Sequence, residues 1–393
     1  MPLHVNRTAG ARHNPQAGGG EASDTSGIVV QYSNQESKES AQHETITRAG
    51  IAKKLAKLKG YAYGGEYDRE KFYEAPLYFV PSDTIVGLET ARRLGIASEN
   101  ELFGGIVPYP FVATKTITHP LLDASAFAPE GWSHDFPRRV LDAVLFGFSA
   151  FTRSEARRAC ARVLERGPAR FKPACGVGGR GQKIITSLQE LDAHLNSIDP
   201  DELARYGIAI EQHLEEVTTY SVGKVTLGDL CIAYYGTQCL TSDHNGVSVY
   251  GGSALLVTRG GFENLLTLDL TPELRQAVAQ ARTYDTAASE EFTGLIASRR
   301  NYDVAEGRDS QGRRVMGVLE QSWRIGGASS AEVAALETFQ ADPTLRVVRT
   351  SCTEIYDGDH EPPAGALVHF CGDDDRVGSI IKYTLIEPYG NAR

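Results

Sequence analysis

Asp303 and Glu320 each close an apolar segment, and the polar residues 307–312 between those segments read as a turn. On adjacent antiparallel strands the two carboxylates would lie side by side. So placed, they repel one another and are relieved by sharing a cation, and hard carboxylate oxygens suit Mg²⁺ bridging nucleotide phosphates. Arg324 and the pair Gly326-Gly327 follow, adding a fixed positive charge and backbone N–H groups open to close approach. A second set is basic. Lys172 ends an apolar run, and Gly176, Gly178, Gly179, Arg180 and Gly181 come next, closed by a second strand at 183–185. Glycines let the backbone turn its N–H groups onto a ligand, as a phosphate cradle requires. The loop is neither a Walker A motif, lacking Gly-Lys-Ser/Thr, nor a dinucleotide fingerprint, since no helix opens at it. Spacing alone also fits a plain hairpin, a turn begun by Asp303 and a surface ion pair at Glu320.

The elements that must position these groups are well marked. Thr152 and Glu155 form a capping box for a helix to Leu164, which delivers the chain to the strand 169–172 and the glycine hairpin. Ser187 and Glu190 open another helix to about Leu195, and a strand over 207–214 changes character at Glu211. Strands follow at 220–226, 230–237 and 254–259, separated by glycine turns, then a helix capped by Thr271-Pro272 and the acidic strand pair. Ser329 and Glu332 read as the cap of one more helix. Upstream, a helix over 45–58 ends at Gly60, a strand occupies 77–81, Ser82-Asp83 caps a helix over 85–94, and 105–112 is extended. Strand, helix and strand predict a small α/β domain with parallel pairing. Residues 1–44, rich in Gly, Ser, Gln, Asn and His, read as a disordered tail.

The 393 residues suffice for two or three domains, and 40 basic against 50 acidic residues leave a net charge of −10. That balance argues against nonspecific nucleic-acid or anionic-membrane binding. No apolar run approaches the ~20 residues of a membrane span, and the N-terminus lacks the apolar core of a signal peptide. A cytoplasmic protein is expected. Six cysteines without a CxxC pair or clustered histidines predict neither zinc nor a disulfide framework, and Cys175 reads as a small loop residue before a reactive thiol.

The order of these features resembles the ATP-grasp superfamily over roughly residues 112–340: a lysine-ended strand with a glycine hairpin, a strand ending Glu211-x-x-Leu214, and an acidic pair closing in Glu320-x-x-x-Arg324-x-Gly326-Gly327. More narrowly, the blocks 61–65, 78–83, 218–223, 234–238 and 299–303 look like an uncharacterised ATP-grasp-related family of unassigned reaction. The resemblance implies an α/β (α+β) fold, two α+β lobes clasping a nucleotide behind a small Rossmann-like α/β domain. The domain would span 45–112, the first lobe with its glycine-rich lid 113–210, and the second lobe with the metal carboxylates 211–393.

The same resemblance implies ATP and Mg²⁺ as cofactors and assigns roles. Lys172 would reach the nucleotide phosphates under a lid of Gly176, Gly178, Gly179, Arg180 and Gly181, with Lys115 as an earlier phosphate-contacting lysine. Glu211 and the backbone of Gln212, His213 and Leu214 would read adenine and ribose. Asp303 and Glu320 would hold magnesium, and Arg324 would stabilise charge on the transferring phosphoryl group. Ser322 stands where the superfamily usually has a metal-binding Asn, and a hydroxyl is a poorer ligand. The implied activity is an ATP-dependent carboxylate–amine or carboxylate–thiol ligase acting on a small molecule through an acylphosphate. Two other readings stay open: a nucleotide-binding protein without catalysis, and a phosphotransferase acting on a hydroxyl with Asp243 or His244 as base. Candidate groups for the unidentified acid and acceptor lie at 234–238, 250–253, Arg259 and 299–301. A homodimer is an admissible assembly.

Overall fold

The computed structural model describes residues 27–34, 41–174, 181–356 and 360–387. The first elements among the described residues are β1 (Ile28–Tyr32), α1 (Gln42–Lys59), β2 (Ala62–Glu66), β3 (Leu77–Pro81), β4 (Ile85–Val86), α2 (Leu88–Leu94) and β5 (Gly105–Val107). β1 is the middle strand of a parallel three-stranded sheet in the order β2-β1-β3. The expected disordered tail therefore fails at its end: Val29 and Val30 are fully buried, and α1 starts before residue 45. Four apolar residues in a five-residue strand are too few to change the composition of a long polar stretch, so the composition hides the strand. Gly60 takes the left-handed conformation expected of a helix end. At 82–86 the expectation is corrected: Ile85–Val86 is a strand paired in parallel with β5, and the following helix starts after Gly87 with no side-chain cap.

The second unit comprises α3 (Asp135–Arg139), β6 (Gly147–Ala150), α4 (Arg153–Leu164), β7 (Ala169–Pro173), β8 (Lys183–Ile185), α5 (Leu188–Leu195), α6 (Pro200–Tyr206) and β9 (Ile208–Gln212). Its antiparallel sheet has the order β6-β9-β7-β8, and α4 and α5 pack on one face through Ala156, Cys160, Val163, Leu191 and Leu195. Both helices start where capping predicts: Thr152 accepts from the Glu155 amide, and Ser187 from that of Glu190. β7 and β8 pair as the arms of the glycine hairpin.

The third unit contains β10 (Glu215–Leu227), β11 (Leu230–Ser242), β12 (Ser248–Arg259), α7 (Phe262–Leu266), α8 (Pro272–Glu291), β13 (Ile296–Ala297), β14 (Arg299–Arg308), β15 (Arg314–Ser322), α9 (Ser329–Ala341), β16 (Val347–Ile355), β17 (Leu367–Asp374) and β18 (Gly378–Glu387). Eight of these strands make one antiparallel sheet, β15-β14-β10-β11-β12-β16-β18-β17. α8 covers one end with Ala277, Val278, Ala281 and Tyr284, and α9 covers the other with Val333, Leu336 and Phe339. α1 also packs on α9 and β17: Lys54 pairs with Glu337 at 2.5 Å, and the His43 amide donates to Asp374 at 2.7 Å. The architecture is two α+β lobes behind a smaller parallel-sheet unit. Among the described residues no helix is long and apolar enough to cross a membrane.

Candidate nucleotide and metal site

A cavity of about 520 Å³ opens between the four-stranded and eight-stranded sheets and extends to the first unit. β14 and β15 set its acidic wall. In their register Asp303 faces Glu320 and Asn301 faces Ser322, so residues two apart on each strand share one face. All four line the cavity. Asp303 is held in place by N–H donors: Gln238 Nε2 at 2.7 Å and Asn301 Nδ2 at 2.9 Å both reach its Oδ1. Burial and the neighbouring Glu320 charge push its pKa up to about 6. Burial also works to raise Glu320, but Lys115 and Lys172 outweigh it and hold that carboxyl below its ordinary value.

The sign of the Asp303 shift fixes a pH response. A carboxyl whose folded pKa lies above its unfolded value contributes stability below that unfolded value, near 3.8, and loses it as pH rises through about 6. Relative to Asp303→Asn, the ligand-free protein is therefore expected to lose melting temperature across that window, the downward-shifted carboxyl of Glu211 being common to both. Thermal melts of both proteins at half-unit pH intervals make the comparison, and equal slopes would reject the cause.

Lys172 comes from β7 on the opposite sheet and crosses to the acidic wall, its Nζ 3.4 Å from the Leu319 carbonyl oxygen. It also pairs with Glu211 at 2.5 Å, and Glu211 meets His119 Nε2 at 3.0 Å on its other oxygen, all three side chains being buried. Burial works to raise Glu211, but Lys172 and His119 bring it down to about 2. The Glu211 carboxylate, which lines the cavity, thus anchors Lys172. The amides of Gln212 and His213 donate to Phe146 and Pro168 carbonyls. Leu214, with Leu145, Val217 and Leu319, makes an apolar stretch of the cavity wall, and Gln212 also lines it, whereas the His213 ring faces Arg170.

Lys115 is nearly buried, with Nζ 2.5 Å from Glu320 Oε2. The structure thus places it behind the carboxylate as a counter-charge. Arg324 lines the cavity and reaches across to Asp83 at 3.6 Å. Gly181 turns the chain at φ 77°, while Gly176, Gly178, Gly179 and Arg180, with Cys175, lie outside the described residues.

Several groups that the sequence names in other roles serve here to hold their neighbours. Arg299 is buried against Glu332, with contacts of 2.8–3.1 Å, and its Nη1 donates to the Ser322 Oγ, the Ser322 carbonyl and the Arg324 carbonyl. Glu332 is therefore an interior partner of Arg299 rather than a helix cap, and it also accepts from Tyr234. The capping pattern gave it a surface role because only the tertiary fold brings Arg299 beside α9. Ser322 Oγ is turned to a guanidinium, a poor neighbour for a bound cation. Gln238, which orients Asp303, had no sequence signal beyond its place in 234–238. Of the candidate substrate arginines, Arg259 donates to Phe339 and Leu345 carbonyls and Arg300 pairs with Asp285, so neither lines the cavity.

The chain matches, over residues 29–384, the family model described as "Protein of unknown function (DUF3182)", and belongs to that family. No curated protein matches it. Among solved structures it is similar to N5-carboxyaminoimidazole synthetase from Staphylococcus aureus complexed with ADP, at 11% identity, with 91% of this chain and 93% of that one covered and a TM-score of 0.49. It is similar also to biotin carboxylase from Campylobacter jejuni in a beta-gamma-ATP complex (11%, 94% and 89%, 0.49). D-alanine–D-alanine ligase from Bacillus anthracis is a third (14%, 80% and 92%, 0.46).

Proposed function

We propose, for a member of this family with two lobes closing on one charged cavity, an ATP-grasp enzyme that joins a small-molecule carboxylate to an amine or thiol at the expense of ATP. The observation that carries the reading is the in-register Asp303–Glu320 pair, faced from the opposite sheet by Lys172. Lys172 would neutralise phosphate charge, and Arg324 would stand at the transferring group. The apolar stretch at Leu145, Leu214 and Leu319 suits a purine face.

A divalent cation fits the donor set. Two hard carboxylates whose mutual repulsion raises Asp303 would hold it, and it would supply charge neutralisation of the phosphates when bound. Among the described residues no group of three or more His, Cys, Asp or Glu side chains is gathered to hold a metal, so nucleotide oxygens would complete the shell. The carboxylate oxygen of the acid attacks the γ-phosphorus, the bond to the β-phosphate oxygen breaks, and ADP leaves with that electron pair. The acceptor then attacks the acyl carbon, phosphate departs, and the acceptor's proton passes to solvent. A carboxylate is already a nucleophile and needs no base for the first step.

The non-catalytic reading draws on Ser322, whose hydroxyl faces Arg299. The phosphotransferase reading is weaker: Asp243 caps its own turn, His244 bonds the Ser379 carbonyl, and neither lines the cavity. Calorimetry of ATP binding with and without Mg²⁺ tests the proposal. Wild type should bind in the micromolar range and more tightly with Mg²⁺, and Glu320→Gln should erase the Mg²⁺ gain and weaken binding by roughly tenfold, ~1.4 kcal/mol. Absence of ATP binding, or an unaltered Mg²⁺ gain in the variant, sinks it.

A further inference from the structure

Arg48 carries a charge from α1 into the interior, with only 7% of the residue exposed. Its Nη2 donates to Ser33 Oγ at 3.3 Å, yet its Nε has no partner, and no ion pair closes on it among the described residues. A guanidinium stays charged in a protein, and burying one without a closed ion pair is costly. Burial lowers its pKa, with Glu66 and Glu44 acting the other way.

Its place in the fold suggests what the partner is. The chain leaves β1 for β2 on one side and returns to β3 on the other, so strand order reverses at β1. In open parallel sheets the crevice outside the carboxyl ends of the strands at such a point receives ligands. Here that crevice is built by Ser33 after β1 and Ser82 after β3, tied together by the Asn34 amide donating to Ser82 Oγ at 3.1 Å. Arg48, Ser82 and Arg324 line the same cavity as Asp303 and Glu320. One cavity therefore joins the acidic wall to a guanidinium that closes no ion pair among the described residues.

We propose that Arg48 binds a carboxylate at the far end of the substrate, so that the acid activated beside Asp303 and Glu320 is a dicarboxylate. This rests on the ligase reading. Glu44, which shares the cavity, and Glu66 already act on Arg48, so an arriving carboxylate of −1 meets less repulsion there than a phosphate of −1.5 to −2. The fork of the guanidinium suits a carboxylate gripped by two parallel N–H bonds.

The test uses the full chain, thermal shift and calorimetry, and as probes straight-chain dicarboxylates of three to seven carbons, L-aspartate, L-glutamate, butyrate and inorganic phosphate. At least one dicarboxylate should bind and raise the melting temperature, while butyrate and phosphate at equal concentration should not. Arg48→Gln and Arg48→Lys should each weaken that dicarboxylate at least tenfold and leave the MgATP dissociation constant within twofold. Arg48→Lys keeps the buried charge and serves should Arg48→Gln fail to fold. The proposal is overturned by no dicarboxylate binding, by phosphate binding tighter than every dicarboxylate, or by full affinity in the Arg48→Lys protein. Dicarboxylate binding without any ATP binding would keep the Arg48 anchor and remove the ligase reading, so the two failures are told apart.

Discussion

Glu332→Ala is expected to cost about 3–5 kcal/mol of stability, because it strands a charged guanidinium in the interior. Arg299 is almost fully buried and three of its contacts end on Glu332, with none of the screening that makes surface pairs weak. Tyr234 would lose one acceptor but keep Asn301 at 2.9 Å, so the hydroxyl is not the main loss. The double substitution Arg299→Met with Glu332→Leu should recover part of the loss, since a buried pair replaced by apolar residues is often neutral. Recovery stays incomplete because Arg299 also caps the Ser322 and Arg324 carbonyls. Urea unfolding of the three proteins measures all of this. A single variant within about 1 kcal/mol of wild type would mean that the pair is hydrated and the interior account is wrong.

Lys172→Met, made together with Glu211→Gln so that no lone buried charge remains, is the second large effect. Charge-assisted hydrogen bonds contribute about 1.5–3 kcal/mol, so MgATP affinity should fall roughly 10- to 150-fold. Glu211→Gln alone should weaken binding less, since Lys172 keeps its charge and loses only its anchor. Calorimetry on folded protein, checked by circular dichroism, reads both. Unchanged MgATP affinity in the double variant would show that Lys172 is a structural ion-pair partner and no phosphate ligand.

Much of the framework was legible in the sequence because it depends on local chemistry. Capping boxes at Thr152 and Ser187 mark helix starts by bonds within one turn. The Asp303–Glu320 register follows from two strands joined by a short turn. What was not legible depends on distant segments meeting. Glu332 looked like a cap because its partner Arg299 is separated by the whole of β14, β15 and the turn to α9. The pairing of Lys115 with Glu320 is a long-range contact, and nothing local distinguishes the buried Arg48 from a solvated arginine. The strand at Ile28 adds a second reason: its partners β2 and β3 are distant in sequence, and the composition around it is that of a polar tail.

The docking of α1 on α9 and β17 sets an order on the protein's synthesis. The His43 amide and its Asp374 acceptor are 331 residues apart. At translation rates of about 5–20 residues per second, α1 emerges from the ribosome roughly 15–65 s before β17. During that interval β1 and its neighbours cover part of the helix, but the face destined for α9 stays bare on the nascent chain. A chaperone that holds early, partly apolar helices would therefore find its longest-lived target in the first fifth of this protein, and ribosome pausing before α9 would lengthen the exposure.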